Sequence, residues 1–261
     1  MSEIPAKIVI PVHAKRASAE ALDVYNSKPG MPKWKSWIQA NLMFDHFIKR
    51  STTRSFRAAL HVFVREWRIM KAHRCGVRKA SSVKLPCALH IGCGPNRKPG
   101  WVNIDLSADA DIRLDLREAL PFPDNSVSMV YCEHFFEHLS REEGIHFLRE
   151  CLRVLLPGGR LSVGVPNAQL CLQDYVRGDR GEWLKVRDRY HPKWCSTPMH
   201  SVNYFFRQDG EHKYAYDAET LIGVVRDCGF SNVHERPWDP ALDLEVRRDG
   251  TLYVDGEKKQ T

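Results

Sequence analysis

The sequence predicts an α/β fold: a mostly parallel, Rossmann-like sheet flanked by helices and preceded by a helical, basic extension. Three observations carry this reading. Ala88-Leu89-His90-Ile91-Gly92-Cys93-Gly94 reads as a short buried strand running into a glycine turn. Trp101-Val102-Asn103-Ile104-Asp105 reads as a second short strand that ends on a carboxylate. Beyond them, short apolar runs alternate with amphipathic helical patterns, as in a sheet whose strands are joined by helices. Gly92 and Gly94 lack Cβ atoms, so the turn can approach a ligand and take dihedrals closed to other residues. An acidic group at the tip of the next strand, Asp105, can accept both hydrogen bonds of a ribose diol.

A chain of 261 residues can bury one substantial α/β core plus an appendage. Its 43% hydrophobic and 27% charged residues are those of an ordinary globular protein. No long uncharged apolar run predicts a spanning helix, and Met1–Lys15 lacks the apolar centre of a signal peptide. Eight scattered cysteines without a C-x-x-C fit reduced thiols, so the expected location is cytoplasmic. Charge is uneven: residues 1–85 hold 17 Lys and Arg against 5 Asp and Glu, and the remainder is mildly acidic.

Residues 1–36, with Pro5, Pro11, Pro29, Gly30 and Pro32, read as irregular. A helical pattern starts at Trp37, and Phe56, Leu60, Phe63, Trp67 and Met70 recur at steps of four and three as one apolar stripe. Arg54, Arg57, His61, Arg65 and Arg68 form a basic stripe beside it. This stripe reads first as a solvated face. An anionic membrane surface, or a phosphorylated or lipid-linked acceptor, comes second, and that would make the protein peripheral to a membrane. Nucleic acid is disfavoured because no binding module accompanies the charge. Gly76–Pro86 reads as a linker, which divides the chain into an extension (1–86) and an α/β domain (87–261).

Within that domain, 112–114 and 127–132 read as strands around the loop Pro121–Ser126. Ser140-Arg141-Glu142-Glu143 has the form of a capping box, and its helix turns Ile145, Leu148, Leu152 and Leu155 inward before Pro157-Gly158-Gly159. Strand 160–165 follows. Asp217 caps a helix that ends at Gly229, Ser231–His234 begins a late strand, and Leu252–Val254 closes the sheet. Only six residues separate Gly94 from Trp101, two of them proline, too few for a helical crossover. The first crossover is therefore expected to be a loop that leaves an apolar patch on one sheet face, covered by the helical region 37–75.

Several of these segments resemble one family, the class I S-adenosylmethionine-dependent methyltransferases, and within it a bacterial group associated with saccharide and cell-surface biosynthesis. The motifs are Leu89…Gly92-Cys93-Gly94, Gly100-Trp101-Val102-Asn103-Ile104-Asp105, Asp115-Leu116, Leu120-Pro121-Phe122, Glu133-His134…Glu137-His138-Leu139 and Leu148–Gly159. The resemblance runs from residue 87 to about 234 and is specific for the superfamily, not for a substrate. It implies that Gly92, Cys93 and Gly94 pass under the donor's methionine and ribose, and that Asp105, followed by Leu106, binds the ribose hydroxyls. Asp115 would accept from the adenine amino group beside Leu116, and Glu133 and His134 would face the sulfonium and the acceptor. Carboxylates at 105 and 133 suit a cation without phosphates, whereas a dinucleotide needs a helix N-terminus facing its pyrophosphate. The implied activity is methyl transfer to an oxygen, or second a nitrogen, of a small-molecule or saccharide acceptor. The rivals are another nucleoside-cofactor enzyme, such as a dehydrogenase, and a cofactor-binding scaffold without catalysis.

The substrate side is expected in an insertion at about 167–216, dense in His191, His200, Asn203, Tyr204, His212, Tyr214 and Tyr216. A hydroxyl acceptor must lose a proton near neutral pH, which histidine can take. His212 is the first candidate base and His200 the second. His134-Phe135-Phe136-Glu137-His138 matches the H-x-x-E-H zinc signature. Directly after a buried strand it reads instead as a one-turn helix with His134 on the pocket wall, and no metal is assigned.

Overall fold

The computed structural model describes residues 52–260. The irregular segment 1–36 and the helical pattern over 37–51 lie outside the described residues. By packing, the chain divides into residues 1–62 and 63–261, a division that falls inside helix α1 (Arg54–Ala80). In the first unit the Thr53 hydroxyl accepts from the Phe56 N–H at 3.1 Å, which caps the start of α1.

The second unit holds a seven-stranded sheet of β1 (Cys87–Ile91), β2 (Val102–Asp105), β3 (Ile112–Arg113), β4 (Val127–Glu133), β5 (Leu155–Pro166), β6 (Ser231–Arg236) and β7 (Thr251–Glu257). Their order is β3-β2-β1-β4-β5-β7-β6. The first five run parallel, and β7 is antiparallel to both neighbours. The expected Rossmann-like, mostly parallel sheet is present. Helix α2 (Arg141–Val154) follows β4, helices α3 (Ala168–Arg177), α4 (Arg180–Tyr190) and α5 (Pro198–Arg207) follow β5, and α6 (Ala218–Asp227) precedes β6.

Register explains the core. Leu89, Val130 and Leu161 lie abreast, as do Ile91, Cys132, Val163 and Val254. With Phe147, Leu148 and Cys151 of α2 and Leu221 and Val225 of α6 they form one buried cluster, in which each large side chain contributes about 1.5–3 kcal/mol. Both caps are as read: Ser140 Oγ accepts from the Glu143 N–H at 3.2 Å while Glu143 accepts from the Ser140 N–H at 2.7 Å. Asp217 accepts from the Thr220 N–H at 2.9 Å. Helix α2 stops at Val154, earlier than Pro157 suggests, because Leu155 already pairs with Val127 in the sheet.

The β1–β2 crossover is a loop, as its length dictates. Asn103 holds it: its amide oxygen accepts from the Lys98 N–H at 2.7 Å, and its NH₂ donates to the Lys98 and Trp101 carbonyls at 3.1 Å. The expected apolar patch is absent, however. The face opposite the core is lined in register by His90, Tyr131, Ser162 and Asp255, which are polar. Burial pushes His90 down to about 4, so the ring is neutral, and its Nδ1 bonds the Asn103 amide oxygen at 3.1 Å. The Lys98 ammonium lies 4.7 Å from the centroid of the Tyr131 ring, and the Tyr131 hydroxyl donates to Asp243 at 3.2 Å. Segment 237–247, not the N-terminal helix, thus closes this face.

The proposed cover from 37–75 is therefore overturned over its described part. Phe63 is 68% exposed and Trp67 46%. Within the second unit, helix α1 meets the sheet near its C-terminal end, where a Cβ on Gly76 would lie 2.1 Å from the Arg113 carbonyl oxygen. It also runs through Ala80, into the stretch read as linker. Among the described residues no helix is long and apolar enough to cross a membrane.

Candidate active site

Parallel strands bring their C-terminal ends to one edge of the sheet, where ligands of open α/β folds bind. At that edge stand the glycine turn after β1, Asp105 ending β2, Asp115 beyond β3, Glu133 ending β4 and Pro166 ending β5.

Gly92 and Gly94 have φ of +63° and +50°. A Cβ on Gly92 would lie 2.5 Å from Phe135 Cβ, so the turn and the segment after β4 touch only because residue 92 is glycine. Gly94 faces open space. Its N–H donates to one oxygen of Asp105 at 3.1 Å, and the Ser107 N–H donates to the other at 2.7 Å. The carboxylate is thereby aimed, with a lone pair on each oxygen left for a diol. Ser107 Oγ beside it is buried without a hydrogen-bond partner. An oriented carboxylate, an orphaned hydroxyl and an open glycine backbone fit the ribose of S-adenosylmethionine. Cys93 is buried, and burial raises its thiol to about 11, so it packs and does not react. Leu106 is half-buried and Leu116 lies in the core.

Two acidic residues differ from the sequence reading. Asp115 is gripped at both oxygens by Arg117, at 2.9 and 2.7 Å, and Arg117 in turn takes Glu66 of α1 at 2.6 Å. Burial opposes charge on Asp115, yet its bonds to Arg117 hold the carboxyl below its usual range. Glu133 does not face an open cleft: it accepts from the Tyr253 hydroxyl at 2.8 Å and the Leu244 N–H at 3.4 Å, and Arg247 lies 3.5 Å away. It belongs to the polar sheet face, where Gly164 leaves room for Tyr253. Arg117 and Arg247 had no signal in the sequence, because each finds its carboxylate through tertiary packing.

Beyond the strand ends lies a cavity of about 480 Å³ inside the insertion, lined by residues that include His134, Asn167, Tyr175, Tyr204, His212 and Arg247. His134 and His212 are therefore brought together on its wall. His200 is not: its ring sits outside, with Nδ1 accepting from the Ser196 N–H at 3.3 Å, because the α5 N-terminus turns it to solvent. The structure removes His200 as a candidate base.

A 3₁₀ turn, Phe136–His138, follows His134, whose φ of +54° re-aims the chain after β4. Glu137 is only 2% exposed, and neither of its carboxylate oxygens has a hydrogen-bond partner among the described residues. Burial raises its pKa to about 8. Its Oε1 lies 3.9 Å from His134 Nδ1, His138 Nε2 and His212 Nε2 alike. Burial lowers the pKa of all three rings, to about 3 for His134, so they are neutral. The Lys213 and Tyr214 N–H groups both donate to the Glu137 carbonyl, at 2.9 and 3.2 Å, and fasten the His212 segment to the turn. The expected one-turn helix is present as the Phe136–His138 turn.

Residues 89–163 match the family described as "Methyltransferase domain". Over 125 residues the chain is 30% identical to the ubiquinone/menaquinone biosynthesis C-methyltransferase UbiE of Shewanella woodyi, a match that covers 44% of this chain and 43% of that protein. UbiE of Yersinia pestis matches over the same shares at the same identity. The chain thus spans less than half the length of these relatives. Among solved structures, a SAM-dependent methyltransferase from Archaeoglobus fulgidus is 16% identical with a TM-score of 0.42, covering 83% of this chain and 99% of that one. A possible histamine N-methyltransferase from Thermotoga maritima is 14% identical with a TM-score of 0.41, covering 78% and 98%. Residues 89–163 are thus similar to a methyltransferase domain, and they span β1 to β5 of the seven-stranded sheet.

Proposed function

We propose that the protein transfers a methyl group from S-adenosylmethionine to an oxygen of a small-molecule or saccharide acceptor bound in the 480 Å³ cavity. The observation that carries this is the meeting of two neutral histidines with a cavity at the strand ends. Bound S-adenosylmethionine supplies a methyl group on a positively charged sulfur, which leaves as a neutral thioether. The protein aligns the acceptor and removes its proton. His134 and His212 present unprotonated ring nitrogens for that proton, and Tyr175 and Tyr204 offer aromatic faces to a sugar or ring. Asp105 holds the donor's ribose hydroxyls, and Gly92–Gly94 carry the backbone beneath it.

Transfer to carbon is the second reading, favoured by the C-methyltransferase relatives. Labelled methyl transfer to glycosides and to phenols or quinols, followed by NMR of the product, separates a methoxy group from a ring methyl.

Calorimetry with S-adenosylhomocysteine tests the donor site. Wild type should bind saturably, with no binding of NAD, and Asp105→Ala should weaken binding by at least about tenfold through loss of its charge-assisted hydrogen bonds. Equal affinity in the variant, with an unchanged melting curve, removes Asp105 from the site. Binding of NAD in its place sinks the methyl-transfer reading.

For the extension we propose an anionic membrane surface as partner. Phe63, Trp67 and Met70 are exposed on α1 beside Arg65, Arg68 and Lys71, a pairing of apolar and basic groups suited to a lipid interface. Vesicles containing phosphatidylglycerol should pull the protein down at low salt and release it at high salt. Trp67→Glu should abolish that binding, and retention of the variant would refute the proposal.

A further inference from the structure

We infer that Glu137, His138 and His212 bind one divalent transition-metal ion beside the acceptor cavity, whose wall includes His212. One ligand atom from each lies within 4.8 Å of the others, although the three residues come from a turn after β4 and a segment more than seventy positions later. The separate observation is the orphaned carboxylate: Glu137 is buried, both its oxygens lack a hydrogen-bond partner, and Oε1 stands 3.9 Å from each of three ring nitrogens. A buried polar group without a partner is costly, more so when charged, so native proteins rarely keep one without a use.

The hydrogen bonds on the far side of each ring fix what faces inward. A carbonyl oxygen only accepts, so His138 Nδ1, 3.1 Å from the Glu211 carbonyl, carries its proton there. His212 Nδ1, 2.6 Å from the Phe205 carbonyl, does the same. Both Nε2 atoms then present lone pairs to Glu137. The Thr251 hydroxyl gives its proton to the Arg247 carbonyl at 2.6 Å, so it accepts from His134 Nε2 at 2.9 Å, and His134 Nδ1 is also a lone pair. Rings whose outer N–H is held by a carbonyl or hydroxyl are the usual supports of metal-ligating histidines. Three inward ring lone pairs around a buried carboxyl, with no N–H among them, fit a cation that displaces the carboxyl proton.

Two imidazoles and a carboxylate suit Zn²⁺, Co²⁺ or Fe²⁺ better than Mg²⁺ or Ca²⁺. Ligand atoms around a tetrahedral ion with bonds of about 2.1 Å are about 3.4 Å apart, so each histidine must approach Glu137 by about half an ångström, and the widest ligand pair, within 4.8 Å, by up to about 1.4 Å. Three protein ligands leave one position, and His212 and His134 place it on the cavity wall. This inference rests on the reading that the cavity takes the acceptor. The ion would hold the acceptor oxygen as a Lewis acid. The O–H bond would break with its electron pair left on that oxygen, and the proton would pass to water in the cavity. His212 is then a ligand and not the base.

The test uses full-length protein, freed of metal by chelator and titrated with Co²⁺ by visible absorption and with Zn²⁺ by calorimetry. One ion per chain is expected, with ligand-field bands of a four- or five-coordinate centre. Glu137→Gln and His138→Gln should each weaken uptake by at least about a hundredfold, while S-adenosylhomocysteine still binds. In chelator Glu137→Gln should melt no lower than wild type, since an amide replaces a stranded carboxylate. Absence of Co²⁺ uptake by the wild type, unchanged uptake in both variants, or uptake of Mg²⁺ alone overturns the site. Failure of wild type to bind S-adenosylhomocysteine, with Co²⁺ still taken up, sinks the methyltransferase reading instead.

Discussion

Replacing Arg236 with Met should lower the unfolding free energy by about 3–5 kcal/mol, the loss expected when one partner of a buried ion pair is removed. The guanidinium grips Asp243 with two bonds, at 2.6 and 2.7 Å, and reaches Asp255 at 3.0 Å and Ser162 at 2.9 Å. Arg236, Asp243 and Asp255 are all buried. Asp255 keeps a second cation, Arg160, at 2.5 Å, whereas Asp243 loses its only ion-pair partner among the described residues. The damage should therefore concentrate on Asp243, which pins segment 237–247 through the Tyr131 hydroxyl and the Asp239 N–H. Arg236→Lys keeps the charge but not the planar fork, and should fall between the two. Urea denaturation measures each change. The double variant Arg236→Met with Asp243→Leu should recover part of the loss, because it leaves no stranded carboxylate. A loss below 1 kcal/mol for Arg236→Met would show that the network does not hold this face closed.

The second large effect is expected at the glycine turn. Gly92→Ala faces two costs: a left-handed φ, at about 1–2 kcal/mol, and a Cβ driven into Phe135. Stability should fall by about 3 kcal/mol or more, and donor binding should be lost with the turn. Gly94→Ala separates the terms. Its φ is also positive, but its Cβ direction is open, so it should pay only the dihedral cost. Its methyl group would instead enter the space left for the donor, so affinity for S-adenosylhomocysteine should fall more than stability does. Melting curves and calorimetry on the same two proteins check this. If Gly92→Ala and Gly94→Ala lose equal stability, the contact with Phe135 is not what fixes residue 92.

Local chemistry made much of the fold legible. Short strands bounded by glycine and carboxylate, the Ser140 capping box and a crossover too short for a helix each act over a few residues, and each is found. What covers the sheet was not legible. His90 sits in an apolar run, and only the register with Tyr131, Ser162 and Asp255 shows that one face is polar. Once that face is polar, an apolar helix has no reason to lie on it, and Phe63 and Trp67 remain exposed. In the site, Asp105 could be read because its carboxylate ends a strand beside the turn it serves. Glu133 misled because strand pairing brings Tyr253 within 2.8 Å of it. The spacing of His134, Glu137 and His138 was visible, but their convergence with His212 depends on backbone bonds across more than seventy residues.

The place of β7 between β5 and β6 has a consequence for biosynthesis. β6 precedes β7 in the chain, yet among the described residues its only neighbour in the sheet is β7. While the ribosome still holds residues 251–257, β6 therefore has no strand to pair with, and the flank of β5 stays open. The parallel half of the sheet, complete by residue 166, can assemble earlier, whereas the antiparallel edge must wait for those residues to emerge. Until β7 is in place the flank of β5 is an unpaired edge, open to pairing with another chain.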